Sequence, residues 1–181
     1  VASGMSVVFA RSNSVYTFDG VISGAGSVQQ SGNGLTEPVP QQFDSEILEL
    51  SGDNSYSGGT TIDKETRLLV SHDNALGTGP VTLGGYDAGL ILGDGITLST
   101  DIVVDNSDTR NHVVLDTGAT SAELSGDIGL NTTTIWKFHL RPGAGQTLTI
   151  SGSITNYGAG TGSFIHQGAG TTLLTGTSSY G

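Results

Sequence analysis

Residues 48–85, LELSGDNSYSGGTTIDKETRLLVSHDNALGTGPVTLGG, decide the fold of this chain. Apolar and polar residues alternate in short runs, and each run ends on Gly, Asn or Asp. Alternation with period two, broken by turn residues, is the pattern of short strands joined by tight corners. Leu48 and Leu50 share one face before Ser51-Gly52-Asp53-Asn54 turns the chain. Gly58-Gly59 turns it again ahead of Thr60-Thr61-Ile62. Leu68 and Val70 lead into Asp73-Asn74, and Val81 and Leu83 follow Gly77-Thr78-Gly79-Pro80. No segment carries helical spacing over a helical length. The stretch predicts a coil of short strands.

The same rhythm runs on from Gly89 to Leu140. Leu90 and Leu92, Ile96 and Leu98, Ile102 and Val104, then Val113 and Leu115 alternate inward between corners at 93–95, 105–106 and 116–118. Corners this short join parallel strands only if the chain keeps coiling in one sense. The architecture that satisfies this is all-β, a right-handed parallel β-helix (a solenoid), forming a single unit over residues 1–181. A period of roughly 22 residues gives about eight turns. At about 4.8 Å per turn the rod is on the order of 40 Å long. Each fully buried Leu, Ile or Val contributes about 1.5–3 kcal/mol, which holds such a thin core together.

The 48–85 stretch also resembles the passenger-associated repeat of bacterial autotransporters, the type V secreted surface proteins. The resemblance is carried by Leu50, Ser51, Gly52, Asn54, Tyr56, Ser57, Gly58, Gly59, Thr60, Thr61 and Ile62. It resumes at Ala75, Leu76, Gly77, Gly79, Val81, Leu83 and Gly85. It implies a passenger segment, exported across the outer membrane and displayed on the bacterial cell surface or secreted. It further implies an outer-membrane β-barrel at the C-terminus of the parent chain. The sequence departs from the repeat at Asp63–Arg67, where a glycine usually stands.

Gly24, Gly26, Ser27, Gly32 and Gly34 align with Gly160, Gly162, Ser163, Gly168 and Gly170. Leu50-Ser51-Gly52 with Tyr56 likewise matches Leu174-Thr175-Gly176 with Tyr180. This reads as one full repeat around 18–85 and the start of a second around 160–181, and repetition of this kind marks a solenoid. Residues 35–45 read as a loop insertion, because Pro38 and Pro40 cannot sit inside a hydrogen-bonded sheet. The N-terminus lacks the basic, long-apolar pattern of a signal peptide, so a secreted parent would contribute this as an internal piece. Bare sheet edges at the ends of a rod invite pairing. Val1–Phe9 is therefore read as a cap, or the ends associate.

Composition narrows the function classes. Seventeen acidic and six basic side chains leave a net charge of −11. A phosphate backbone needs clustered Lys and Arg, so nucleic acid is excluded as a partner. An anionic membrane surface is disfavoured for the same reason. There are no cysteines, which removes disulfide scaffolds and thiolate metal sites. A chain exported unfolded would be hindered by disulfide loops, so this suits the autotransporter resemblance.

Three clusters are candidates for chemistry. Trp136, Phe138 and Leu140 share one face of a strand, and Lys137, His139 and Arg141 the other. The second set is either a basic strip for an anionic sugar or a solvated outer face, and the outer face is the default for a half-buried strand. His112, His139 and His166 recur at equal spacing along the chain. They would stack as a metal column only if that spacing made one turn and all three faced alike. His112 precedes its valines whereas His139 alternates within its strand, which argues that they do not. Asp101, Asp105, Asp108, Asp116, Glu123 and Asp127 could line a polysaccharide-cleaving groove. Beside Gly, Asn and Thr, they read instead as corner residues. There is no GxSxG elbow, Walker loop or calcium repeat. No catalytic, metal or cofactor-binding residue is assigned, and no cofactor is implied.

Three functions remain. The first is a structural stem of an autotransporter passenger, supporting surface display and folding-coupled secretion. The second is an adhesin module, binding a host surface protein, a glycan or itself. The third is a polysaccharide lyase or hydrolase. They rank in that order, and the chain is taken not to be an enzyme.

Overall fold

A computed structural model describes residues 1–10, 15–32, 47–105, 111–131, 138–158 and 162–179. The strands in chain order begin with β1 Ser6–Ala10, β2 Tyr16–Phe18, β3 Ser27–Ser31, β4 Ile47–Leu50, β5 Thr60–Ile62 and β6 Arg67–Val70. Next come β7 Val81–Leu83, β8 Gly89–Leu92, β9 Thr97–Leu98, β10 Ile102–Asp105, β11 Asn111–Leu115 and β12 Ser121–Leu124. The last are β13 Ile128–Asn131, β14 Phe138–Arg141, β15 Thr147–Ile150, β16 Ile154–Asn156, β17 Phe164–His166, β18 Thr171–Leu174 and β19 Ser178–Ser179. No helix occurs among the described residues.

The strands form three sheets, ordered β1-β3-β5-β7-β10-β13-β16-β19, β2-β4-β6-β8-β11-β14-β17 and β9-β12-β15-β18. Neighbours are parallel, as in β5 with β7, β6 with β8 and β12 with β15. Strand, corner and strand alternate along the chain, each strand stacking on the one a turn earlier. The chain is a parallel β-solenoid.

The turns are not uniform. Thr60 pairs with Val81 and Val81 with Ile102, steps of 21, but Ile102 pairs with Ile128 and Ile128 with Ile154, steps of 26. The added residues fall in two corners. Leu83 to Gly89 spans six positions, while the aligned spans Val104 to His112 and Leu130 to His139 take eight and nine. Leu92 to Leu98 spans six, and the aligned Leu115 to Leu124 spans nine. The step from Val28 to Thr60 is 32. Residues 35–45 fall within that step and, like Pro38 and Pro40, lie outside the described residues. The longer turns leave six steps in the second sheet and seven in the first, against the eight turns of a uniform short period.

The corner from the third sheet back to the first stays at four positions: Leu98–Ile102, Leu124–Ile128, Ile150–Ile154 and Leu174–Ser178. The first of these corners reads Leu98-Ser99-Thr100, and the other three carry a Leu/Ile-Ser/Thr-Gly signature that packs on the corner before. Ser125 and Gly126 both donate to the Leu98 carbonyl, Ser151 and Gly152 to Leu124, and Thr175 and Gly176 to Ile150. A Cβ on Gly126, Gly152 or Gly176 would lie 1.9–2.3 Å from the backbone carbonyl of the turn before. Backbone therefore packs directly on backbone. What stacks on Leu174-Thr175-Gly176 is its equivalent one turn earlier, so this signature recurs at every late turn.

Earlier turns close their third side without strands. Ser55 and Ser57 donate to Ile22 and Gly24 carbonyls, and Thr78 to Tyr56, at 2.9–3.0 Å. The buried Asn54 ties three turns together: its Oδ1 accepts from Ile22 N at 2.6 Å and its Nδ2 donates to Ala75 O at 2.7 Å. Tyr56 is fully buried, with its hydroxyl 2.5 Å from Thr60 Oγ1, and burial pushes the phenol up to about 12. Gly77 is left-handed (φ +64), and a Cβ there would strike Tyr56 O. The residues that carry the repeat resemblance are thus packing and corner residues.

The core is the continuous inner column set, including Leu48, Leu68, Leu90, Val113 and Leu140 of the second sheet and Val81, Ile102 and Ile128 of the first. At the N-terminal end β1 forms the outermost strand of the first sheet. There Phe9 meets Phe18 edge-on at 5.5 Å and Tyr16 at 6.4 Å, and the three rings pack against the core. The corner at Asp63–Arg67 keeps glycine geometry without the glycine, since Glu65 adopts φ +59. A left-handed non-glycine residue costs about 1–2 kcal/mol. Glu65→Gly is therefore expected to raise the denaturation midpoint, by about 1 kcal/mol after the added chain entropy; a lower midpoint would contradict this account of the corner.

Candidate functional site

Along the second sheet, alternation sends Leu48, Leu68, Leu90, Val113 and Leu140 inward. The residues before them form one outward column: Ile47, Arg67, Gly89, His112 and His139, one per turn. Outward positions are normally solvated. Here Arg67, His112 and His139 are only 7%, 4% and 8% exposed. This corrects the expectation that charges on this face meet water. The neighbouring outward column buries Ile91 as well.

Gly89 supplies the room. A Cβ there would lie 2.4 Å from Arg67 Cδ, so the arginine fills the space that a side chain would take. Arg67 donates through Nη1 to Thr66 O at 3.1 Å and to Asp87 O, and pairs through Nη2 with Asp87 Oδ2 at 2.9 Å. Asp87, itself left-handed (φ +59), meets His112 Nε2 with its other oxygen. Arg141 Nη1 stands 3.4 Å from His112 Nδ1. His139 lies against His112 with ring centroids 5.2 Å apart, and its Nδ1 is 2.8 Å from Gln167 Oε1.

The partners assign the protons. Ionised Asp87 accepts, so His112 carries its hydrogen on Nε2; Arg141 only donates, so Nδ1 is the bare nitrogen. Burial pushes the Asp87 carboxyl up, but the His112 hydrogen bond and the Arg67 guanidinium together outweigh it and hold the group at about 2. Burial holds His112 below the usual imidazole value, only partly offset by Asp87. The cluster fixes one carboxylate, two guanidinium groups and a neutral imidazole in a half-shielded row.

Of the residues singled out in the sequence, His112 and His139 are brought together in register. They do face the same way, contrary to the expectation from their positions. His166 does not join them. The turn that follows His139 is one position shorter than the spacing of the histidines, so His139 pairs with Ile165 and His166 pairs with Leu140. The His166 ring meets Thr172 Oγ1 at 2.9 Å. No group of three or more metal-ligating side chains occurs among the described residues. Phe138 and Leu140 enter the core, while Trp136 and Lys137 lie outside the described residues.

Asp94, Asp101, Asp116 and Asp127 are corner residues, whereas Asp105 ends β10 and Glu123 lies within β12. Asp101 Oδ1 accepts from Asp127 N, and Asp127 Oδ1 from Ser153 N, both at 2.9 Å. Asp105 accepts from Asn131 Nδ2 at 2.8 Å, and Glu123 from Ser151 Oγ. Asp94 accepts from Thr120 N at 2.7 Å, which lowers its carboxyl below the ordinary value. Each acceptor ties its own turn to the one that follows. Asp108 lies outside the described residues.

Arg67 and Asp87 were not marked by sequence reasoning. The available signal was positional: Arg67, His112 and His139 each precede an inward aliphatic, and Gly89 is the small residue among them.

One curated protein is similar to this chain over nearly its whole length. It is the adhesin BmaC autotransporter of Brucella suis biovar 1 (strain 1330), 30% identical over 169 residues, or 90% of this chain. The chain is homologous to a stretch of an autotransporter adhesin. It spans only 4% of that protein's length. Its β-solenoid is the fold typical of autotransporter passengers, and the relationship implies a surface or secreted location. The relative is described as an adhesin. No family model matches the chain, and no solved structure does.

Proposed function

We propose that the segment is a structural stem of an autotransporter passenger, whose turns fold one upon another as the chain emerges at the cell surface. The observation that carries this reading is the parallel register, in which each turn offers its strand edges as a template for the next. Pairing of a new turn outside the cell opposes back-sliding of the chain, with no external energy source. In the parent protein, a C-terminal outer-membrane barrel would provide the exit.

The test uses the parent chain and two deletions. Removing 103–128 joins Ile102 to Gly129 and excises one complete turn in register. Removing 103–115 excises half a turn and puts the following strands on the wrong sheet. Surface exposure is expected to survive the first deletion and collapse in the second. Equal display of both would overturn the stem role.

A second reading, an adhesive module, is favoured by the adhesin character of the relative. It predicts that the purified segment binds host surface protein or glycan, or aggregates cells. It also predicts that removing 35–45 abolishes this. The enzymatic reading ranks last: Asp101, Asp105, Glu123 and Asp127 each accept a hydrogen bond from the following turn.

A further inference from the structure

The row Arg141, His112, Asp87 and Arg67 has a property that the stem role does not require. Its hydrogen bonds run in one direction: Arg141 donates to His112 Nδ1, His112 Nε2 donates to Asp87, and Arg67 donates to the same carboxylate. A second proton on His112 can go only to Nδ1. That converts the acceptor facing Arg141 into a donor and sets two cations against each other in a part-buried place. We propose that acid switches this row, a proton on His112 Nδ1 expelling the Arg141 guanidinium and loosening the outer face of the second sheet at β11 and β14.

Among the described residues, the charged and titratable groups facing His112 are Arg67 from β6, Asp87 from the corner before β8, and His139 and Arg141 from β14. Asp87 is the one acid of that set. One of its oxygens pairs with Arg67 and the other meets His112. The His139 ring lies 5.2 Å from that of His112, centroid to centroid. Arg110 and Lys137 each precede a histidine by two positions in the sequence.

The sign follows from linkage. His112 takes up its proton more readily in the unfolded chain, near the ordinary imidazole value of about 6.5, than when buried and folded. Stability contributed here is complete above that value and is lost as pH falls below it. Asp87, held at about 2, keeps its charge throughout this window and loses its contribution only below about 4.

The experiment measures hydrogen exchange of β11 and β14 amides and the thermal midpoint of the chain between pH 7.5 and pH 5. In the natural sequence, exchange in these two strands is expected to rise at least about fivefold beyond the intrinsic pH effect, while β5 and β7 stay protected. Arg141→Gln, whose carbonyl can accept from the new Nδ1 hydrogen, is expected to remove most of that rise. His112→Gln, which keeps a donor for Asp87 and cannot titrate, should remove it too. Nitrogen NMR should place the His112 hydrogen on Nε2 at pH 7.5. A hydrogen on Nδ1 at that pH, or an acid response unchanged in both variants, would overturn the proposal. Poor folding of either variant leaves the nitrogen assignment to decide.

Discussion

Gly152→Ala is expected to unfold the C-terminal turns, lowering stability by about 3 kcal/mol or more. The methyl would lie 1.9 Å from the Gly126 carbonyl oxygen and 3.0 Å from that of Ser125. Both are backbone atoms of the adjacent turn, so no side chain can rotate away. Relief requires opening the corner, and with it the paired hydrogen bonds from Ser151 and Gly152 to Leu124 O. Overpacking a tight interior costs about 1–3 kcal/mol when side chains can adjust, and more when they cannot. The neighbouring Ser151→Ala, which loses only the hydroxyl contact to Glu123, serves as control and should cost about 1 kcal/mol. Denaturant midpoints of the two variants decide; a Gly152→Ala protein as stable as the control would mean that the corner does not stack backbone on backbone.

The second large effect belongs to Asn54→Ala. This side chain satisfies a buried N–H two positions before Gly24 and a buried C=O two positions before Gly77, in the turns on either side of its own. Alanine strands both groups, and each unsatisfied buried partner costs about 1–3 kcal/mol. The expected loss is about 2–5 kcal/mol, with weaker amide protection at Ile22. Asn74→Ala, at an exposed corner, should cost less than about 1 kcal/mol. Asn54→Asp keeps the acceptor for Ile22 N but turns an oxygen toward Ala75 O, so it too should destabilise. A near-neutral Asn54→Ala would remove asparagine from its place as the tie across three turns.

The coil was legible because its strongest signal is local. Leu48, Leu50, Leu68, Val70, Val81 and Leu83 alternate with polar residues, and all six point into the core. Corner chemistry was legible for the same reason: Asp101 after Thr100 and Asp127 after Gly126 do what short acids do at turns. Register was not. Whether His139 meets His112, and whether His166 joins them, depends on two successive turns whose lengths differ by a single position. A slip of that size moves a side chain to the opposite face. The buried state of the outer column was hidden as well, since alternation places Arg67, His112 and His139 outward without saying that the face is covered. Nothing local marks Gly89 as the space that Arg67 fills.

Distance along the molecule follows the number of turns and not the number of residues. Gln29, Thr61, Thr82, Val103, Gly129 and Thr155 form one outward column of the first sheet. Spin labels on Gln29→Cys and Thr155→Cys, in a chain with no other cysteine, stand five steps apart, or about 24 Å by backbone spacing. Moving the second label to Ser179, the next member of the column, adds one step and should add about 5 Å. A single narrow distance near each value is the predicted result. Distances that coincide for the two pairs, or that shorten on moving to Ser179, would contradict a parallel stack.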